Sequence, residues 1–249
     1  MKVLQLSSGL PFLISLAVFF HTCSGDTPRS PDSEGKDSPH QGATEPNLSD
    51  RELLKLVEVA AEGEGNTVAL EKLQALPRED VIATLSRIRQ SLKGDDPLRV
   101  KISFVFCYLN YEYPYNRSVI ISAFTKTSRY KGFSADDAVV LIGTLIKRGD
   151  KELLNVVFKN VGEADTAPAE GILAIFVERI QTDPESFMLS LKEQSVQIRK
   201  DVYELLEGAT IPEETLNRLR SSLLTVSSNP QTARVSKELL KHLRTRAHR

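Results

Sequence analysis

The chain has 249 residues, of which 41% are hydrophobic and 26% charged, with a formal net charge of −1. That balance excludes an acidic disordered chain and a membrane bundle, and it supplies no global basic field for holding nucleic acid. Two cysteines, Cys23 and Cys107, cannot build an internal disulfide framework, so stability must come from packing alone.

Residues 1–25 read as a secretory signal peptide. Lys2 gives a positive start, and Leu10 to Phe20 is an apolar run too short to span a bilayer but of the right length for a signal core. Pro11 interrupts the run and a polar tract follows, which argues against a buried helix. Residues 26–47 carry Pro28, Pro31, Pro39 and Pro46 among Ser, Gly, Asp and Glu. With no apolar periodicity they are expected to form a disordered polar linker. Cys23, followed by Ser24 and Gly25, resembles the modified cysteine of bacterial lipoproteins. The resemblance implies a diacylated first mature residue and a membrane tether through Cys23, with the linker as spacer. Phe20-His21-Thr22 depart from that family's aliphatic and small residues, and cleavage after Ser24 or Gly25 is the alternative. Either route exports the body to the cell envelope or beyond.

Residues 48–249 are predicted to be a single helical domain. Ser49-Asp50-Arg51-Glu52 is a capping box that opens a helix carrying Leu53, Leu54, Leu56, Val57, Ala60 and Ala61, closed by Gly63 and Gly65. A second helix runs from near Asn66 to before Pro77. A third spans Arg78 to Lys93 through Val81, Ile82, Leu85, Ile88 and Leu92, with Gly94 just past its end. Asp96 and Pro97 restart the chain as cap and first helical residue. Asn116 is expected to cap a helix through Val119, Ile120, Ala123 and Phe124, ending near Gly132. Ser134 opens the next helix, up to Gly149, and Asp150 caps another, closed by Gly162. Pro168, Asp183-Pro184, Ser195, Pro212 and Thr232 start the remaining segments.

The fold class is therefore all-α: about a dozen short antiparallel helices with brief connections, as an irregular α-solenoid or a compact array. Leu145 to Asp150 echoes Ile88 to Asp95, each a helix end turning through Gly-Asp. Asp96-Pro97-Leu98-Arg99-Val100-Lys101 resembles the start of the second helix of a HEAT-type repeat. That resemblance implies stacked helix pairs with an extended concave binding surface. Phe104 and Phe106 stand where such a helix would carry small alanines.

Ile102 to Asn116 is the most distinctive stretch, holding Tyr108, Tyr111, Tyr113 and Tyr115. Exposed aromatics make binding hot spots, so Tyr111, Glu112, Tyr113, Tyr115 and Arg117 are the candidate binding residues, while Phe104, Phe106, Cys107 and Tyr108 read as core. Three other patterns have plain explanations. Arg148-Gly149-Asp150 matches an integrin-recognition tripeptide but also a helix end followed by a cap. Asn47-Leu48-Ser49 and Asn116-Arg117-Ser118 match glycosylation acceptors but also caps. The last segment, with Arg234, Lys237, Lys241, Arg244, Arg246 and Arg249 against Glu238, is a basic amphipathic helix that could meet an anionic membrane or simply be solvated.

No chemistry announces itself. His40, His242 and His248 sit beside no plausible ligand set, so no metal is expected; Cys107 lacks a histidine partner, and no phosphate-cradling loop or cofactor signature occurs. The expected function is a non-enzymatic helical scaffold or protein-interaction module of the cell envelope, with a protein or cell-wall partner, no nucleic acid and no cofactor. The alternative is an envelope glycan hydrolase or lyase that uses Glu112 as a lone carboxylate.

Overall fold

The computed structural model describes residues 48–62, 66–125, 130, 132–163 and 166–245. The expected signal peptide with Cys23, the expected linker, Asn47, and Gly63 and Gly65 fall outside the described residues. Ser49, Ser134, Asp150, Asp183 and Ser195 each cap a helix start with the side chain. Ser49 forms the predicted capping box with Glu52 at the head of α1 (Asp50–Ala60). α2 (Asn66–Ala75) and α3 (Arg78–Ser91) follow, and then α4 (Leu98–Tyr108), whose Leu98 N–H donates to Asp96 Oδ1 at 2.8 Å. After α5 (Tyr113–Phe124), Ser134 and Asp137 build a second capping box for α6 (Ala135–Lys147). Asp150 caps α7 (Lys151–Asn160), and a 3₁₀ turn, Val161–Glu163, leads to α8 (Thr166–Thr182). Asp183 caps α9 (Pro184–Lys192) and Ser195 caps α10 (Val196–Gly208). α11 (Glu213–Val226) and α12 (Ala233–Thr245) complete an all-α array with no strand among the described residues.

Four boundaries differ from the sequence reading, each for a local reason. α3 stops at Ser91 because Leu92 turns extended, so Gly94 is not its left-handed cap. The Gly-Asp echo is therefore one of spelling: only Gly149, at φ 108°, makes the left-handed turn. α5 ends at Phe124, short of Gly132, where the Thr125 and Ser122 hydroxyls donate to carbonyls of the last turns. α8 begins two residues before Pro168, which the first helical turn tolerates because its N–H groups have no intrahelical acceptor. Asn116 does not cap α5 but lies inside it, fully buried.

The described residues form one unit whose main packings join helices close in chain order. α4 packs on α5 and α6, α6 on α7 and α8, α7 on α9, α8 on α10 and α11, and α9 and α10 on α12. α1 packs on α2 and reaches across to α4, which also receives α3. The apolar faces meet in one continuous core. At the α7–α8–α9 junction the fully buried rings of Phe158, Phe176 and Phe187 pack with centroids 5.1–5.4 Å apart, two of the three pairs edge to face. The close α6–α8 approach relies on Gly171, where an added Cβ would sit 2.6 Å from Val139 Cγ1. No helix among the described residues is long and apolar enough to cross a membrane.

Candidate functional site

The tyrosine-rich stretch contains the α4–α5 turn, and its geometry starts from how α4 ends. Asn110 adopts left-handed backbone at φ 54°. The Tyr111 N–H donates to Phe106 O (2.8 Å) and the Asn110 N–H to Cys107 O (3.0 Å), the hydrogen-bond pair of a Schellman motif. Such a motif brings an apolar contact between the residue after the turn and the helix's last buried turn. Here that contact is Tyr111 edge-on to Phe106, with centroids 5.1 Å apart. The remaining terminal carbonyls of α4 receive arginines, which also complement the negative end of the helix dipole. Arg78 donates to Leu109 O (3.2 Å), while Arg148 donates to Tyr108 O and lies 3.7 Å over the Tyr108 ring.

Two residues on, Glu112 is also left-handed, at φ 42°, and no side chain caps the start of α5. What holds this strained corner is Asn116. Its amide Nδ2 donates to Tyr111 O (2.8 Å) and Glu112 O (3.2 Å), and its Oδ1 accepts from Arg89 Nη1 at 2.7 Å. Asn116 is completely buried and both ends of its amide are occupied, so the fold leaves no room for a glycan there. Arg89 in turn lies between aromatic rings, 4.8 Å from the Phe106 centroid and 5.5 Å from that of Tyr115. It also pairs with Glu112 at 3.4 Å.

The far side of the same helix start is a second polar cluster. Tyr113 donates its hydroxyl to Asp150 Oδ2 at 2.6 Å, and Arg117 bridges Asp150 (3.4 Å) and Glu152 (2.6 Å). The Asp150 side chain is 8% exposed, and its Oδ1 also takes the Glu152 and Leu153 N–H groups as the α7 cap. With Asp150 spent inside and Arg148 laid over Tyr108, the Arg148-Gly149-Asp150 tripeptide has no acid to offer a receptor. Burial, aided by the hydrogen bond to Asp150 and its charge, raises the Tyr113 phenol above its ordinary range. Burial and then Asp150 push the nearby Cys107 thiol up to about 12, against an opposing effect of Arg117. Cys107 is thus a buried core thiol whose neutral form the fold favours.

The structure therefore divides the five candidate residues. Tyr111, Tyr113 and Arg117 are committed to internal packing and the Asp150 cluster. Glu112 and Tyr115 open, with Arg89, Gln90, Arg99 and Pro114, onto a shallow depression of about 610 Å³. Tyr115 is 52% exposed. Arg99 Nη1 donates to Arg89 O (2.7 Å) and Leu92 O (3.2 Å) and has no carboxylate partner among the described residues. Arg89, Gln90 and Arg99 were not among the predicted site residues. One signal was available: Arg89 continues the spacing of Ile82 and Leu85, so a cation falls on the inward face of α3. That Arg99 meets it depends on how α4 crosses α3, which no local pattern encodes.

Elsewhere, the apolar side of α12 is already used: Val235, Leu239, Leu240 and Leu243 are buried in the core, so they are not free to insert in a bilayer. Its Arg234 pairs with Glu238 (3.0 Å), and His242 meets Glu207 (2.9 Å) while stacking on Tyr203 at 5.0 Å. No group of His, Cys, Asp and Glu among the described residues is arranged to hold a metal ion. Comparisons with protein-family models, curated proteins and solved structures return no match for this chain.

Proposed function

We propose that this chain is a non-enzymatic helical interaction module, exported to the cell envelope, that engages a partner protein through the depression formed by α3, α4 and α5. The observation that carries the reading is the pairing of exposed Tyr115 and Pro114 with two arginines on a pre-formed, strained corner. Tyrosine and arginine are the residue types that dominate binding energy at interfaces, and a rigid presentation lowers the entropic cost of association. The order of helix packing, near neighbours on near neighbours, supports treating the body as an irregular α-solenoid, in line with the HEAT-type resemblance at residues 96–101. Export rests on residues 1–25 alone, and a tether through Cys23 would hold the module at the membrane.

The glycan-acting alternative receives no comparable support. Glu112 is paired with Arg89 and its side chain is 49% exposed, so it is neither unpartnered nor enclosed in a cleft as a lone general acid would be. The test of the interaction reading is capture from the native envelope fraction by immobilised wild-type protein and by Tyr115→Ala, both verified as folded. A partner enriched by wild type and reduced at least about tenfold by the substitution is the expected result for a central aromatic anchor. Equal recovery by both proteins, or no enrichment by either, overturns it.

A further inference from the structure

Resting on that reading, we infer that the partner docks an acidic peptide segment, and that Glu112 stands in for its carboxylate while the site is empty. The argument starts from charge. The depression holds two guanidiniums against one carboxylate, and the arginines differ in how they are satisfied. Arg89 is fixed by Asn116 and by two rings, while Arg99 gives one nitrogen to two carbonyls and faces no acid among the described residues. Asp96, three residues before Arg99, takes the Leu98 N–H on its Oδ1 at 2.8 Å and forms no ion pair with Arg99 among the described residues. A half-buried guanidinium with unused donors is a site for an anionic oxygen, because charge-assisted hydrogen bonds are about twice as strong as neutral ones.

Glu112 has the properties of a displaceable internal ligand. Its contact to Arg89, at 3.4 Å, is longer than an optimal charge-assisted bond, and its side chain is half exposed. It is also carried on left-handed backbone that a non-glycine residue adopts only at a cost, so the carboxylate is placed by the turn rather than by its own packing. A bidentate carboxylate from a partner would satisfy Arg89 and Arg99 together and release Glu112 to solvent. A peptide fits the walls better than a simple anion does. Pro114 and Tyr115 offer apolar area to a neighbouring side chain, and the exposed Gln90 amide can pair with a backbone amide. The volume of about 610 Å³ lies within the ordinary range of ligand pockets and suits a short segment.

The experiment is fluorescence anisotropy with the full mature chain and a fluorescein-labelled glutamate-rich octapeptide, against a lysine-rich peptide of equal length and a sulfated glycan. The glutamate peptide is expected to bind, more weakly as salt rises, and the lysine peptide not to bind. Glu112→Gln, which removes the internal competitor, should tighten binding about two- to five-fold, and Arg99→Gln should weaken it by a similar factor. Circular dichroism melts of both variants establish that they are folded. Unchanged affinity in Glu112→Gln overturns the stand-in role, and tighter binding of the sulfated glycan than of the peptide overturns the peptide class. Should envelope capture depend on Tyr115 but on neither Glu112 nor Arg99, the interaction reading survives and the acidic segment does not.

Discussion

Asp150→Ala removes the carboxylate that joins α5 to the α6–α7 turn and so positions the helix bearing Tyr115. Its Oδ1 caps α7 through the Glu152 (3.1 Å) and Leu153 (3.2 Å) N–H groups, and losing such a cap costs about 1 kcal/mol. Its Oδ2 accepts the Tyr113 hydroxyl at 2.6 Å, a bond to a charged group worth about 1.5–3 kcal/mol, and the phenol is then left half-buried without its acceptor. Arg117, at 3.4 Å and also paired to Glu152, adds little. Together these give about 3 kcal/mol, or a drop in Tm of about 6–12 °C for a domain of this size. Asp150→Asn keeps an acceptor at one of the two places: its oxygen can still cap α7, while its amide nitrogen, a donor, replaces the acceptor at the Tyr113 hydroxyl, so it should lose about half as much, since asparagine caps as well as aspartate does. Urea unfolding followed by circular dichroism measures each. A double-mutant cycle with Tyr113→Phe should give a coupling of about 1–2 kcal/mol. An alanine variant within about 0.5 kcal/mol of wild type, or strict additivity with Tyr113→Phe, refutes the reasoning.

Further outcomes follow from the same packing. Cys107 and Tyr113 both have folded-state pKa values raised above their ordinary 9.0 and 10.0, so the fold favours their neutral forms. Stability is therefore full below pH 9 and falls as the pH rises toward about 12, and a Cys107→Ala, Tyr113→Phe double variant should show a flatter alkaline limb in urea titrations. Gly171→Ala should destabilise by about 1–3 kcal/mol despite alanine's better helix propensity, because the new methyl meets Val139. Gly208→Ala, where no atom lies within 4 Å, should stabilise by about 0.5–1 kcal/mol, and thermal melts decide both signs. For the proposed export and tether, intact mass of the mature N-terminal peptide is expected to show acyl chains on Cys23. A peptide starting after Ser24 or Gly25 without them removes the tether.

Helix existence was legible because capping is local. Ser49, Ser134, Asp150, Asp183 and Ser195 each accept a backbone N–H two or three residues ahead, a bond that needs nothing but the sequence around it. The core faces were readable for the same reason, since an apolar period of 3.6 residues belongs to one helix at a time. The α4–α5 corner was not. Asn116, preceded by Pro114 and Tyr115 and followed by Arg117 and Ser118, spells a cap, yet Arg89 from another helix satisfies its oxygen and draws it into the core. The tyrosines likewise share one local signal but meet different neighbours. Tyr111 finds Phe106, Tyr113 finds Asp150, and Tyr115 is left at the surface beside Arg89 and Arg99. Periodicity tells a residue which way to point from its own axis. Only the crossing of α3, α4 and α5 decides whether another helix or solvent waits there.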